Sequence, residues 1–184
     1  MEKKQISIIV IFLLFVIIFI FSMKNKLSRK AKSFEGILEE GNNSGFESEK
    51  FETDMMNAGW RRGEPWCMAF VKMVVLKSYP RKKEVIEKTL SSGTQISFQK
   101  MKNDTTGTFE FSAVPKKNVI VIWQNKTNSA QGHAGIVTKV NSTTFETIEG
   151  NTNIAGEREG QLVGKKTRTM NETSFKLLGF FIIK

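Results

Sequence analysis

From Ile6 to Met23 the chain runs for 18 residues without a charged side chain, dominated by Ile, Phe, Val and Leu. As a helix this run would reach about 27 Å, close to the hydrocarbon thickness of a bilayer. It exceeds the ~7–15-residue apolar core of a secretory signal, and Phe21-Ser22-Met23-Lys24 is a poor small-residue cleavage site. With no cysteine after it, a lipid-attached lipoprotein signal is excluded. The pattern therefore predicts one N-terminal transmembrane helix, an anchor over residues 1–23, with a cleaved signal as the alternative.

Beyond the apolar run the pattern turns polar. Lys24, Lys26, Arg29, Lys30 and Lys32 form a basic juxtamembrane stretch, and Glu39–Ser48 is rich in Gly, Asn and Ser. Residues 24–48 are accordingly expected to be juxtamembrane segment and linker. From Glu49 to Asn57 the spacing is helical, with Phe51 and Met55 four apart and Ala58-Gly59 as the stop. Pro65 suits the first position of a second helix, on which Cys67, Phe70, Val71, Val74 and Val75 make one apolar face before Pro80 closes it. Arg81–Leu90 carries a third, charged helical pattern, and Ser91–Val114 is weakly patterned. The last third is different. Val119–Trp123, Ala134–Val140, Thr144–Ile148 and Lys176–Ile183 read as strands separated by polar turns. Helices first and strands afterwards predict an α+β fold, N-terminal helices packed on an antiparallel β-sheet, and no internal repeat is evident.

Charge bears on topology and on partners. The formal net charge of +10 is compatible with polyanionic surroundings such as phospholipid headgroups or anionic wall polymers, but a solvated Lys-rich surface is the favoured reading. No nucleic-acid motif and no aromatic-studded basic segment is present, so nucleic acid is not expected as a partner. Lys3 and Lys4 precede the apolar run while five basic residues follow it. The positive-inside rule taken alone would hold the following domain in the cytoplasm.

The chain has one cysteine, Cys67, and one histidine, His133. An internal disulfide and a four-ligand Cys/His zinc site are excluded by count. Thiol chemistry needs the thiolate, and a sulfur at a helix amino end meets the positive end of the macrodipole. Cys67 has that setting, and His133 opens a strand between Gly132 and Gly135. Each has a simpler reading: a small buried core residue for Cys67, a structural histidine for His133. In Phe145-Glu146-Thr147-Ile148-Glu149-Gly150-Asn151, alternation puts Phe145, Thr147, Glu149 and, if the strand continues, Asn151 on one face. A carboxylate or carboxamide there could orient an imidazole through its other ring nitrogen. A strand ending in a Gly150-Asn151 turn would satisfy the same pattern.

Three segments in order, Glu64-Pro65-Trp66-Cys67-Met68-Ala69-Phe70-Val71, Gly132-His133-Ala134-Gly135-Ile136-Val137 and Ile148-Glu149-Gly150-Asn151-Thr152-Asn153, resemble the signatures of CHAP domains. These are the cysteine- and histidine-dependent amidohydrolases/peptidases related to the NlpC-type cell-wall peptidases. The resemblance implies a papain-like catalytic domain over residues 49–184, with Cys67 as nucleophile, His133 as base, Glu149 as orienting residue and Asn151 assisting. It implies peptidoglycan as substrate, cut within its peptides or between muramic acid and L-Ala, and requires no metal or organic cofactor. Lys117-Asn118 stands where many members have Gly-Asp, and Met68 where a small residue is common. Trp60 and Trp66 are expected to be packing residues, with cleft lining as the alternative. The resulting expectation is a membrane-anchored hydrolase with its catalytic domain extracytoplasmic, or secreted if the N-terminal segment is cleaved. The competing readings are a thiol hydrolase of another amide and a non-catalytic wall- or membrane-associated binding module.

Overall fold

The computed structural model describes residues 25–153 and 160–184, and the chain is folded from the start of that range. Helix α1 (Lys26–Lys32) buries Leu27 and Ala31, four residues apart on one face, while its basic last turn complements the negative helix end. A short hairpin follows, β1 (Glu39–Glu40) and β2 (Gly45–Phe46), turning through Asn42 and Asn43 in the left-handed region. Residues 26–46, expected to be juxtamembrane segment and linker, are thus packed into the domain. Leu27, Ala31 and Phe46 belong to its main core. The anchor expected over residues 1–23 lies outside the described residues. Among those described, no helix is long and apolar enough to cross a membrane.

Helix α2 (Glu49–Asn57) starts where the Ser48 hydroxyl accepts the Phe51 N–H, and it buries Phe51 and Met55 as their spacing requires. Helix α3 (Cys67–Ser78) begins two residues later than Pro65 would set it. The residue before it, Trp66, has a non-helical φ of −120° and a buried indole whose Nε1–H donates to Glu39 Oε2 at 2.6 Å. A 3₁₀ turn over Pro80–Lys82 leads into α4 (Lys83–Thr89). The weakly patterned stretch holds helix α5 (Thr94–Lys102) and strand β3 (Phe109–Ser112). The buried positions of α5 are Thr94, Ser97 and Met101, so its inner face carries little apolar signal.

Strands β4 (Ile120–Asn125), β5 (Gly132–Val140), β6 (Thr144–Thr152), β7 (Leu162–Thr169) and β8 (Phe175–Ile183) complete an antiparallel sheet in the order β3-β8-β4-β5-β6-β7. β7 was not expected from the sequence. It is the last strand of the sheet, pairing β6 on one side and bridged only at Leu162 by Leu38 on the other, and its Leu-Val-Gly-Lys-Lys-Thr-Arg-Thr run has few apolar residues to alternate. On one face Ile120, Ile122, Ala134, Ile136 and Ile148 pack under the helices, with α3 against β5 and β6. On the other, Val121, Trp123, Val137, Phe145 and Phe180 form a second apolar cluster. Both faces of β4 are therefore buried, which is why Val119–Trp123 reads as an unbroken apolar run. The result is the mixed α+β architecture that the order of helical and strand patterns predicts.

Candidate active site

Cys67 is the first residue of α3 and is nearly buried, with 7% of its surface exposed. The helix can bring it against the sheet because residue 150 has no side chain. A Cβ there would lie 2.6 Å from both Phe70 Cβ and Trp66 Cζ3. On β5, Gly135 does a related service for a different group. A Cβ at 135 would stand 2.7 Å from Cγ of Glu149, so this glycine makes room for the carboxylate rather than for a helix end.

His133 stands at the start of β5, paired in register with Trp123 of β4. Its ring is nearly parallel to both the Trp123 and Phe175 rings, at centroid distances of 5.9 and 5.7 Å and interplanar angles of 26° and 23°. Nε2 of His133 meets Oε2 of Glu149 at 2.8 Å, which leaves Nδ1 as the ring nitrogen not engaged by the carboxylate, and the Cys67 side chain is near enough to act on the imidazole. Burial alone would push the imidazole below its ordinary value. The Glu149 charge, helped by the nearby Cys67 side chain and by the hydrogen bond to Glu149, reverses that and raises it to about 9.

Glu149 is fully buried on β6, on the face predicted by alternation with Phe145 and Thr147. The Thr147 hydroxyl donates to its Oε1 at 2.5 Å. Burial would raise this carboxyl, but the Arg168 fork and the imidazolium outweigh it and hold it down at about 2. Arg168, near the end of β7, donates from Nε to Oε1 at 2.9 Å and from Nη2 to Oε2 at 2.6 Å. Arg168 carries no signal of this role in the sequence. It sits in a Lys/Thr-rich run that resembles a solvated surface, and only the pairing of β7 on β6 reveals that it shares the Glu149 face.

Asn151 is placed differently from the expectation that it helps orient the imidazole. It adopts φ +52° at a break in the β6–β7 register. In the amide orientation that satisfies its neighbours, it donates to the Gly160 carbonyl at 2.6 Å and accepts the Trp66 N–H at 3.3 Å. It therefore ties the end of β6 to the entry of α3, while Glu149 holds the imidazole. His133, Asn151, Lys126, Lys166, Arg168 and Phe175 line a cleft of about 770 Å³.

The departures noted in the sequence take packing and turn positions. Met68 is fully buried in the core, as are Trp60 and Trp66, which act as packing residues. Asn118 takes a left-handed φ of +70° in the turn before β4 and accepts the Ser28 N–H at 2.9 Å. Among the described residues no group of three or more His, Cys, Asp or Glu could hold a metal ion.

A helix that delivers a cysteine at its first residue to an antiparallel sheet bearing a histidine and a carboxylate defines the papain-like class of α+β domain. A family model described as the CHAP domain matches residues 59–151, a span that includes Cys67, His133, Glu149 and Asn151. The chain belongs to the CHAP domain family. Among solved structures it is similar to one titled "Crystal structure of a wild type endolysin LysIME-EF1", with a TM-score of 0.51 and 14% sequence identity. That similarity covers 86% of this chain and 63% of the endolysin chain, and at such identity it speaks for the fold. No curated protein matches the sequence.

Proposed function

We propose that this protein hydrolyses amide bonds of bacterial peptidoglycan by thiol catalysis, as an endopeptidase or N-acetylmuramoyl-L-alanine amidase. One observation carries the reading. The lone cysteine, at a helix amino end, stands beside the lone histidine and acts on its protonation, and a buried carboxylate holds Nε2 of that imidazole. Membership of the CHAP family and a fold shared with a protein titled an endolysin support peptidoglycan as the substrate.

The chemistry follows from the groups. The Cys67 thiolate attacks the amide carbonyl carbon, and the backbone N–H groups at the start of α3 face the developing oxyanion. As the C–N bond breaks, the imidazolium of His133 gives its proton to the leaving amine, leaving a thioester on Cys67. The now neutral imidazole takes a proton from water, whose oxygen attacks the thioester carbonyl. The C–S bond then breaks, regenerating the thiolate and releasing a carboxylic acid. Glu149 stabilises the imidazolium, and Asn151 holds the helix entry in place.

The domain acts on the wall only from outside the cytoplasmic membrane. We therefore place it extracytoplasmically, anchored by residues 1–23 or released if that segment is cleaved. The basic residues after the apolar run oppose this orientation under the positive-inside rule, so location is tested directly. A reporter fused after Lys184 is expected to be exposed outside the cytoplasm.

Digestion of isolated peptidoglycan by the full chain, followed by mass spectrometry, tests the activity and identifies the bond. New amino groups are expected with the parent and none with Cys67→Ala at unchanged circular dichroism. An equally active Cys67→Ala would remove the thiol mechanism. An inert parent with a reactive thiol would point to a different amide substrate. An unreactive thiol would point to a non-catalytic binding module.

A further inference from the structure

The Glu149 carboxylate has two cationic partners, and thiol catalysis by a Cys–His pair needs only one. Its Oε2 meets His133 Nε2 at 2.8 Å and Arg168 Nη2 at 2.6 Å, while Arg168 Nε takes the second oxygen at 2.9 Å. The guanidinium lies over Trp123 and Phe175 at 5.2 and 6.0 Å, the two rings that lie nearly parallel to the imidazole. Its third nitrogen reaches Glu172 Oε2 at 3.4 Å, in the turn that leads to Phe175. Arg168 and His133 thus share one oxygen and one aromatic frame.

We propose that Arg168 is a positioning residue of this site: its two-point grip fixes the Glu149 carboxylate and shares its charge, so that His133 can alternate between imidazolium and neutral base in one turnover. This rests on the thiol chemistry proposed above. Before acylation the buried groups are thiolate, imidazolium, carboxylate and guanidinium, two anions and two cations. After the imidazolium has given up its proton and the sulfur is acylated, carboxylate and guanidinium remain, one of each. These groups are balanced in both states, with the more exposed Glu172 carboxylate on the outer side of the guanidinium. Without Arg168 the second state would leave a fully buried carboxylate with no cation, a penalty avoided by keeping the proton on His133. The water-activating step, which needs neutral imidazole, would then suffer first.

Other charged groups near the imidazole are already engaged. Lys166 Nζ donates to Asn153 Oδ1 at 3.2 Å, and Lys126 Nζ to the Glu172 carbonyl at 2.7 Å. The Glu172 carboxylate accepts the Thr169 N–H at 2.7 Å. Cys67 on α3 and Glu149 on β6 act on His133 directly, Arg168 on β7 acts through Glu149, and the Lys126, Lys166 and Glu172 charges stand beyond them.

As the chain has a single histidine, its imidazole NMR signal reads His133 without ambiguity. The full chain in detergent micelles is titrated as parent, Arg168→Gln and Arg168→Lys. The His133 midpoint is expected to rise by about one pH unit or more in Arg168→Gln and to return most of the way in Arg168→Lys. If the parent hydrolyses peptidoglycan, Arg168→Gln should also accumulate acyl-enzyme, with kcat and KM falling together and kcat/KM little changed. An unchanged midpoint in a folded Arg168→Gln overturns the proposal. Should that variant not fold, Glu149→Gln is compared with the Glu149→Gln, Arg168→Gln pair. A higher midpoint in the pair shows that the guanidinium is felt at His133, and equal midpoints overturn the proposal. The titration needs no substrate, so a wrong assignment of peptidoglycan leaves it readable.

Discussion

Nε2 of His133 lies 2.8 Å from Oε2 of Glu149, between two strands whose residues 133 and 149 are both buried. The contact links stability to pH in opposite senses for its two partners. His133 rises from 6.5 to about 9, so the contribution of its imidazolium is complete below 6.5 and is lost as pH climbs through about 9. Glu149 falls from 4.5 to about 2, so its contribution is present above 4.5 and is lost only as pH drops through about 2.

Denaturant midpoints measured across pH should therefore show the parent losing stability between pH 6.5 and 9, a loss absent from His133→Gln. A parent curve as flat as that of the variant in this window would contradict a charged His133–Glu149 pair in the folded state.

The approach of Cys67 to the imidazole depends on Gly150, where a methyl group would collide with Phe70 Cβ and Trp66 Cζ3 at 2.6 Å. Both obstacles are buried in the main core and cannot swing into solvent. Gly150→Ala is expected to cost about 1–3 kcal/mol by overpacking and to move the amino end of α3 away from the sheet. Iodoacetamide should label Cys67 quickly at neutral pH in the parent, and slowly both in Gly150→Ala and in His133→Ala. Parent-like labelling in Gly150→Ala would show that the helix entry is set by other contacts.

These two sites also mark what could be read from the sequence. Cys67 and His133 stand out because each is unique, and period-two alternation alone puts Glu149 on the face of Phe145 and Thr147. The α+β order follows from where helical spacing gives way to alternation. Arg168 was hidden because its strand has almost no apolar residues, and α5 because Thr94 and Ser97 occupy buried positions. In both elements burial is enforced by partners distant in sequence, which local hydropathy does not register. The same holds for residues 26–46, whose polar, Gly- and Asn-rich surface covers a few deeply buried anchors such as Leu27 and Phe46.

Those anchors give a truncation test. Removing residues 1–33 deletes α1 and uncovers the core sites of Leu27 and Ala31, whereas removing residues 1–23 leaves both in place. Losing the burial of Leu27 alone corresponds to about 1.5–3 kcal/mol. The shorter chain should unfold at a clearly lower denaturant concentration than the one starting at Lys24. Equal midpoints would mean that α1 does not contribute to the core.

The roles of Glu149 and Asn151 separate by the same logic. Glu149 touches the imidazole, while the Asn151 amide joins the Trp66 N–H to the Gly160 carbonyl. Asn151 also stands at φ +52°, so Asn151→Ala would mix backbone strain with lost hydrogen bonds. Asn151→Gly keeps the backbone comfortable and deletes only the amide. It should leave the His133 titration midpoint within a few tenths of a pH unit of the parent, because no charge near the ring changes. It should nonetheless lower stability by about 1–2 kcal/mol through two unmade hydrogen bonds, and slow Cys67 alkylation as the helix entry loosens. Glu149→Gln should do the reverse, pulling the His133 midpoint down by about one pH unit or more as the raising charge is removed. If Asn151→Gly shifts the midpoint as far as Glu149→Gln does, the amide orients the imidazole in solution and the division of labour drawn from their contacts is wrong.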